Sequence, residues 1–362
     1  MPFFDFEDGS TGLVEKKDIM RILIALAAAL FLVACSPDET SKVLRLSGKT
    51  MGTTYSITAV DASSELSEES LSAEVEAVLA DVNSKLSNWD KNSEVSQFNS
   101  STETAPVKVS ADFITVMSAA NSVHGLSEGK FDVTLGPLIE LWGFGPRKPE
   151  DPVPSEGQIE QALAFVGQAE RLSIDEGAST IAKTAPEIGI NLSAIAKGYG
   201  IDAVASKLKA LGVGSYMVEI GGDLVTAGKN DKGEAWKIGI EKPEPGEKAI
   251  ELIVAVEDRG LATSGDYRNF VEYDGVRYSH IIDPTTGRPI THRTTSVSVI
   301  AEDAMLADAW ATAMLALGAE KGLAIAEANN LAVYFISRGE NGTAEQYVTS
   351  ASSAFEVLQA KQ

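Results

Sequence analysis

The stretch MLADAWATAMLALG, residues 305–318, consists almost entirely of Ala, Leu, Met and Trp, and this composition predicts a buried helix. Its two polar exceptions, Asp308 and Thr312, are spaced i and i+4 and therefore share one face of that helix. The apolar flanking residues leave this face little water, so a carboxylate there needs a partner. It could pair with an arginine, cap a neighbouring chain segment, or bind a hard cation together with the hydroxyl. A hydrogen-bonded core aspartate explains this helix alone equally well.

The segments around this helix alternate between helical and strand-like patterns. On its C-terminal side, residues 318–330 predict a second helix and residues 331–338 a strand. On its N-terminal side, period-two segments with Gly, Asp-Gly or Pro breaks predict a sheet-dominated region over 215–302. Farther upstream, the patterns predict helices at 67–87, 112–129, 155–167 and 195–211, and strands at 47–58, 171–174, 180–183 and 188–191. The sequence therefore predicts one α+β domain over residues 47–362, with mixed or antiparallel sheets and packed helices.

The charge balance restricts the partners of this domain. The 362 residues include 52 acidic and 30 basic side chains, for a net charge of -22, and they contain no Lys/Arg cluster. A phosphate backbone would require such a cluster, so we expect no nucleic-acid partner. An anionic substrate must instead be bound by local donors or through a cation.

The region before the domain has the pattern of a bacterial lipoprotein signal. Arg21 precedes an apolar run that ends in LVAC at Cys35 and is shorter than the roughly 20 residues of a membrane span. LVAC resembles a lipobox, so we expect residues 1–34 to be a signal peptide and residues 35–46 a lipidated cysteine with its tether. Translation is expected to start at Met20, and Ser36 favours an outer-membrane anchor facing the periplasm. A buried helix with a chance cysteine is the alternative.

Cys35 is the only cysteine in the chain. The sequence therefore excludes an intramolecular disulfide and a cysteine-based metal cluster. A domain of this length can bury a core large enough to be stable without either.

One stretch in the middle of the chain is suited to bind an anion. NLSAIAKGYGID, residues 191–202, places Lys197 at a predicted helix start, where free N–H groups and the helix dipole attract negative charge. An ordinary capped helix is the simpler interpretation of this stretch alone.

Two stretches in the sheet-dominated half also contain reactive side chains. LATSGDYRNF, residues 261–270, offers Thr263, Ser264 and Asp266 in a pattern that can cradle phosphate, although a hairpin turn fits equally well. YSHIIDPTTGRP, residues 278–289, places His280 between a strand and a turn, a common position for active-site residues. A structural histidine is the alternative.

Nine segments, in this order, resemble the flavin transferase (ApbE) family, the FAD:protein FMN transferases. They are MGTTYSI, SEVSQFN, FDVTLGPLIELWGFGP, NLSAIAKGYGID, VEIGGDL, WKIGIEKP, ATSGDYRNF, HIIDPTTGRP and ADAWATAMLALG. The resemblance implies a single catalytic domain with a T-fold-like architecture. It also implies FAD as substrate, Mg²⁺ as cofactor, and transfer of FMN through a phosphoester bond to a threonine of a partner protein, with release of AMP.

The resemblance also implies roles for individual residues. Metal ligands would be Asp308, Thr312 and the backbone carbonyl of Ala194, whereas Ala311 stands where some members have a second Asp. Asn191 stands where many members have Asp. The residues expected to contact FAD are Met51, Trp89, Phe131, Asp132, Asn191, Lys197 and Ile282, together with Thr263 and Ser264. His280 is the expected general base, with Asp266 as the second candidate.

The partner implied by the resemblance is an exported subunit of a flavin-dependent redox complex. A sodium-pumping NADH:quinone oxidoreductase (Nqr) or the related Rnf complex would supply it, with the threonine in a Ser/Thr-Gly-Ala-Thr-like segment. Two alternatives remain open from the sequence. One is a pyrophosphatase that splits FAD to FMN and AMP with the same metal site, and the other is a flavin-binding lipoprotein without turnover.

Overall fold

The computed structural model describes residues 42–60, 62–63, 65–145, 153–244, 249–267, 269–339 and 347–360. The predicted signal peptide, Cys35 and most of the tether lie outside these residues. Residues 42–362 group as one unit, whose first strand begins at Leu44 rather than at the predicted residue 47.

The secondary structure alternates as the sequence patterns indicate. The helices are α1 (Glu68–Leu86), α2 (Glu94–Ser100), α3 (Ala111–Leu126), α4 (Gly136–Leu141), α5 (Glu156–Leu163), α6 (Gln168–Arg171), α7 (Ala196–Ala210), α8 (Ala304–Ala328) and α9 (Ser353–Ala360). The strands of the first half are β1 (Leu44–Thr50), β2 (Thr53–Val60), β3 (Val107–Lys108), β4 (Leu172–Asp175), β5 (Thr180–Lys183), β6 (Ser215–Ile220) and β7 (Asp223–Ala227). The strands that follow are β8 (Trp236–Glu241), β9 (Ile250–Val256), β10 (Gly260–Gly265), β11 (Phe270–Tyr273), β12 (Val276–Ser279), β13 (Ile282–Asp283), β14 (Arg288–Pro289), β15 (Thr294–Ala301), β16 (Ala332–Arg338) and β17 (Tyr347–Ala351).

Helix α1 illustrates how local sequence produces these elements. Its buried residues recur one turn apart on a single face, and they are Leu71, Val75, Leu79, Val82 and Leu86. The Ser67 side chain accepts a hydrogen bond from the Ser70 N–H at 3.1 Å and so caps the first turn. The amphipathic pattern and the cap together define the helix predicted over 67–87.

One large antiparallel sheet forms the centre of the fold. Its eight strands follow the order β1-β2-β6-β7-β10-β15-β16-β17, and helix α8 packs against β10 and β15. Ala307, Ala311 and Met314 of α8 join Val297 and Val299 of β15 in the main core. The opposite side of α8 is covered by α3 and α7. The prediction of a buried helix at 305–318 is therefore confirmed.

Helices α7 and α8 touch backbone to backbone near their N-termini. A β-carbon on Gly198 would lie 2.2 Å from the carbonyl oxygen of Ala304, so only glycine permits this approach. Each helix also caps the other. The Gly198 N–H donates to Asp308 Oδ2 at 3.0 Å, and the N–H groups of Ala304 and Met305 donate to the Asp202 carboxylate at 3.0 and 2.8 Å. This contact fixes Asp308 at the start of α7.

Two of the predicted strands differ from the structure, whereas the two helices predicted around residue 318 are confirmed. The strand predicted at 47–58 is a hairpin, because Met51 and Gly52 adopt positive φ angles of 48° and 74° and turn the chain. The strand predicted at 188–191 is absent, and the Ile190 carbonyl instead accepts from the side chains of Asn88 and Asn99. The two helices predicted on either side of residue 318 are both present within α8, which is interrupted by the non-helical backbone of Gly318 at φ 76°.

No described helix combines the length and the apolar character that crossing a bilayer requires.

Candidate functional site

A cleft of about 420 Å³ opens between the α7–α8 contact and the residues that directly precede β11 and follow β12. It collects most of the residues that the sequence singled out, namely Phe131, Asp132, Asn191, Ala194, Lys197, Thr263, Ser264, His280, Ile282, Asp308 and Thr312. A second cavity of about 150 Å³ is lined by Met51 and Trp89 and shares Ser193 and Lys197 with the cleft. Residues separated by more than 250 positions in the sequence, from Met51 to Thr312, therefore meet along one surface.

The carboxylate end of the cleft consists of the lining residues Lys197, Asp308 and Thr312, together with Asp223, which pairs with Lys197 beneath the cleft surface. Asp308 is 5% exposed, and its Oδ1 lies 3.8 Å from Lys197 Nζ. One helical turn later, Thr312 Oγ1 is 3.2 Å from Ser264 Oγ of β10. The two polar exceptions of the apolar helix thus face the cleft together, whereas Ala311 is buried in the core.

Asp223 is a member of the carboxylate end that the sequence analysis did not select. This residue begins β7, is 2% exposed, and forms a close ion pair with Lys197 through Oδ2. Its Oδ1 accepts a hydrogen bond from the Thr263 N–H at 3.0 Å. Lys197, which lines the cleft, is therefore within ion-pair distance of both Asp223 and Asp308. The one available sequence signal was a carboxylate directly after a Gly-Gly turn in a strand of otherwise buried residues.

The histidine end of the cleft is defined by His280 and the carbonyl of Asn269. His280 Nδ1 lies 2.8 Å from Asn269 O, and its ring makes an edge contact with Phe144. A carbonyl oxygen can only accept, so Nδ1 must carry the proton, and the neutral ring then has its lone pair on Nε2. Burial lowers the pKa of His280 below that of an exposed histidine, against a smaller raising effect of the Asn269 carbonyl. His280 is thus held in the form that accepts a proton.

Asp266, the second candidate base, is engaged elsewhere. Its carboxylate accepts two hydrogen bonds from Arg338, at 2.8 and 2.9 Å, and one from the Thr295 hydroxyl. It is 7% exposed and is not among the described residues that line the cleft. Both oxygens of Asp266 are committed to donors, so the geometry favours His280 over Asp266 as the general base.

The remaining predicted contact residues differ in how free their side chains are. Phe131 and Ile282 present apolar surface to the cleft, whereas Trp89 is 76% exposed beside the second cavity. The Asp132 carboxylate accepts from the N–H groups of Thr134 and Gln168 at 2.7 and 2.9 Å, so it also organises its own loop. Asn191 Oδ1 accepts from the Ser193 N–H at 3.0 Å. The cleft therefore combines apolar walls with a charged end.

The donor set at the carboxylate end suits a hard cation. Among the described residues, no group of three or more His, Cys, Asp or Glu side chains could hold a metal ion. Asp308 and Thr312 line the same cleft as Ala194, whose backbone carbonyl is the third oxygen ligand that the family resemblance implies. Oxygen ligands in small number are what Mg²⁺ accepts when substrate oxygens and water complete its shell.

The chain is similar to known proteins over most of its length. Residues 51–335 match the family model of the ApbE family. The chain is 44% identical over 347 residues to the FAD:protein FMN transferase of Haemophilus influenzae, covering 94% of this chain and 98% of that protein.

Solved structures show the same similarity. The flavin transferase ApbE from Vibrio cholerae superposes with a TM-score of 0.80 at 43% identity, covering 88% of this chain and 99% of that one. The apo form of the Pseudomonas stutzeri flavinyl transferase ApbE gives a TM-score of 0.79 at 39% identity, covering 88% and 97%. These matches confirm the family resemblance and the α+β fold class predicted from the sequence. The chain belongs to the ApbE family.

Proposed function

We propose that this protein is an FAD:protein FMN transferase. One observation carries the proposal: a single cleft joins a lysine held between two buried carboxylates to a neutral histidine with a free Nε2. The first group is suited to bind a pyrophosphate, and the second is suited to take a proton from a hydroxyl. The relatives described above carry the same activity in their names.

FAD fits the character of the cleft. Lys197 supplies positive charge for the pyrophosphate, and the hydroxyls of Thr263 and Ser264 lie on the same wall. Phe131, Ile282 and the exposed Trp89 offer apolar and aromatic surface for the flavin and adenine rings. The overall negative charge of the chain makes this local cation essential for attracting a dianionic substrate.

We further propose that Mg²⁺ is bound by Asp308, Thr312 and the Ala194 carbonyl. The ion would neutralise charge on the pyrophosphate and so stabilise the transition state electrostatically. Asp308 is preset for this role because the Gly198 N–H already fixes Oδ2, while Oδ1 faces Lys197. With Ala311 in place of a second carboxylate, the protein would supply one ligand fewer, and water or substrate oxygen would complete the shell of the ion.

His280 acts as the general base in this proposal. The hydroxyl oxygen of an acceptor threonine attacks the phosphorus atom of the FMN half, and its proton passes to His280 Nε2. The bond between the phosphorus and the bridging oxygen breaks, and AMP leaves with that oxygen. Lys197, held by Asp223, remains beside the phosphates as negative charge moves to the departing group.

The acceptor and the cellular location are also proposals. Cys35 would be lipidated and would anchor the enzyme on the periplasmic side of a bacterial membrane, with the outer membrane favoured by Ser36. The acceptor would then be an exported subunit of an Nqr- or Rnf-type complex with a Ser/Thr-Gly-Ala-Thr-like segment.

The test is incubation of the purified protein with FAD, Mg²⁺ and an acceptor domain that contains such a segment. Intact-mass spectrometry should show one covalent FMN on the acceptor and AMP in solution. Omission of the acceptor separates a transferase from a pyrophosphatase, because only the pyrophosphatase continues to release AMP. FAD that stays intact in the complete mixture would contradict both enzymatic assignments and favour a flavin-binding protein.

A further inference from the structure

We propose that Asp266 and Arg338 form a positioning pair that holds His280 in its base-competent tautomer. This inference rests on the proposed role of His280 and deepens it. Neither residue lines the cleft among the described residues, so neither touches the substrate directly. They act instead on the carbonyl that receives the His280 proton.

Asp266 is fixed through every polar atom it has. Its carboxylate binds the Arg338 guanidinium with both oxygens and also accepts from Thr295. Its N–H donates to the Thr295 carbonyl at 3.0 Å, and its own carbonyl accepts from Arg277. A bidentate arginine–carboxylate pair resists rotation better than a single contact does, and here its carboxylate is buried while its guanidinium is partly exposed. The chain is therefore anchored at the point where it leaves β10.

The sheet itself creates this anchor. Between β15 and β16 the register shifts at Thr294/Ser296, which removes Thr295 from the regular pairing. Such a bulge redirects a side chain, and here the Thr295 carbonyl and hydroxyl both face Asp266. Arg338, the last residue of β16, also donates to the Thr295 hydroxyl at 2.9 Å. Asp266 thus rests on a rigid, buried edge of the core.

The residues of the histidine end follow Asp266 in the chain and are connected to it by hydrogen bonds. Three residues after Asp266, the Asn269 carbonyl accepts from His280 Nδ1 at 2.8 Å. The hairpin of β11 and β12 then returns the chain to His280, and Arg277 of β12 reaches back to the Asp266 carbonyl. Both partners of the Asn269–His280 hydrogen bond are therefore positioned relative to Asp266. If the anchor loosens, Asn269 no longer selects protonation at Nδ1, and Nε2 can carry the proton instead.

The deciding measurement is the imidazole ¹⁵N signature of His280 by NMR at about pH 8, where a histidine is neutral. The chain has three histidines, and His280→Gln identifies the signal by its disappearance. The wild type should show an Nε2 without a proton. Arg338→Met should show a mixture of tautomers and a kcat for FMN transfer lower by about 10- to 100-fold, with KM for FAD within about twofold. Arg338→Lys keeps the charge but not the bidentate geometry. Its tautomer ratio and its kcat should therefore lie between those of the wild type and those of Arg338→Met.

A matched control removes the cation of an ion pair far from the site. Lys207 of α7 pairs with Glu74 at 2.9 Å, so Lys207→Met should leave both the tautomer and kcat unchanged. If Arg338→Met does not fold, Arg338→Lys and Asp266→Asn provide the same readout. Folded Arg338 and Asp266 variants with the wild-type ¹⁵N signature and wild-type kcat would overturn the proposal. A shifted tautomer combined with full activity of His280→Gln would instead uphold the positioning pair and overturn the role of His280 as base.

Discussion

The carboxylate end and the histidine end of the cleft are held by different kinds of structure. At the carboxylate end, two helices meet backbone to backbone at Gly198, and Asp308 and Asp223 are both nearly inaccessible. At the histidine end, His280 follows the small β11–β12 hairpin, and one hydrogen bond to Asn269 fixes its ring. The first end is rigid because it is part of the main core. The second end depends on a chain of polar contacts that extends outward from that core.

The largest effect should come from removing the carboxylate of α8. We expect Asp308→Ala to abolish FMN transfer, because the variant loses the proposed metal ligand and one of the two carboxylates near Lys197 in the described structure. Intact-mass spectrometry of the acceptor measures the loss. Glu302→Ala, which removes an exposed carboxylate just before α8, is the control and should transfer normally. FMN transfer by Asp308→Ala at the wild-type rate would contradict the proposal that Asp308 is a metal ligand.

The next largest effect tests the histidine end directly. His280→Gln retains a polar side chain but cannot accept the threonine proton, and kcat should fall by about 10²- to 10⁴-fold. KM for FAD should change little, because phosphate binding is assigned to the carboxylate end. Steady-state kinetics with saturating acceptor separates the two parameters. A large increase in KM with unchanged kcat would assign His280 to substrate binding instead.

A smaller effect is expected from loosening Lys197. Asp223→Asn keeps the shape of the buried side chain and its contact with the Thr263 N–H but removes the charge that orients the ammonium group. We expect kcat/KM for FAD to fall about 10-fold, with most of the change in KM. Lys197→Met should lower kcat/KM by a smaller factor in the Asp223→Asn background than in the wild type, since the two residues act as one unit. Fully additive losses would show that Asp223 acts independently of Lys197.

The smallest effect is a pH dependence that distinguishes the two ends. Burial lowers the pKa of His280 from an ordinary value of about 6.5, so the base stays neutral at pH 7 and becomes protonated only below that value. Transfer should therefore decline on acidification below about pH 6.5, and His280→Gln should lack this decline. The same shift means that the unfolded chain binds this proton more readily, so the His280 contribution to stability is lost as pH falls through that range. A kcat/KM profile between about pH 5 and 8 measures the acid limb.

Several elements of the fold could be predicted from local pattern alone. The apolar spacing of α1 and the composition of residues 305–318 each predicted a helix. Residues that are buried in every helical turn leave a local pattern of apolar side chains in the sequence. The hairpin at Met51 was missed, since a positive φ at a methionine is not a recognisable turn signal. The apparent strand at 188–191 has an extended pattern, but its carbonyl at Ile190 is bound by side chains from elsewhere in the chain.

The sequence by itself determined the family, the buried helix, and the residue types needed for phosphate and proton chemistry. Each motif is a short local segment, and the order of the motifs can be read directly along the chain. Motif content and order together therefore identify these features from the sequence. Only the tertiary structure assigned partners: it paired Asp223 with Lys197, bound Asp266 to Arg338, and gave His280 its protonated Nδ1. The physical reason is that burial and hydrogen bonding decide what a carboxylate or an imidazole can do. Both depend on residues distant in sequence that folding brings within about 3 Å of each other.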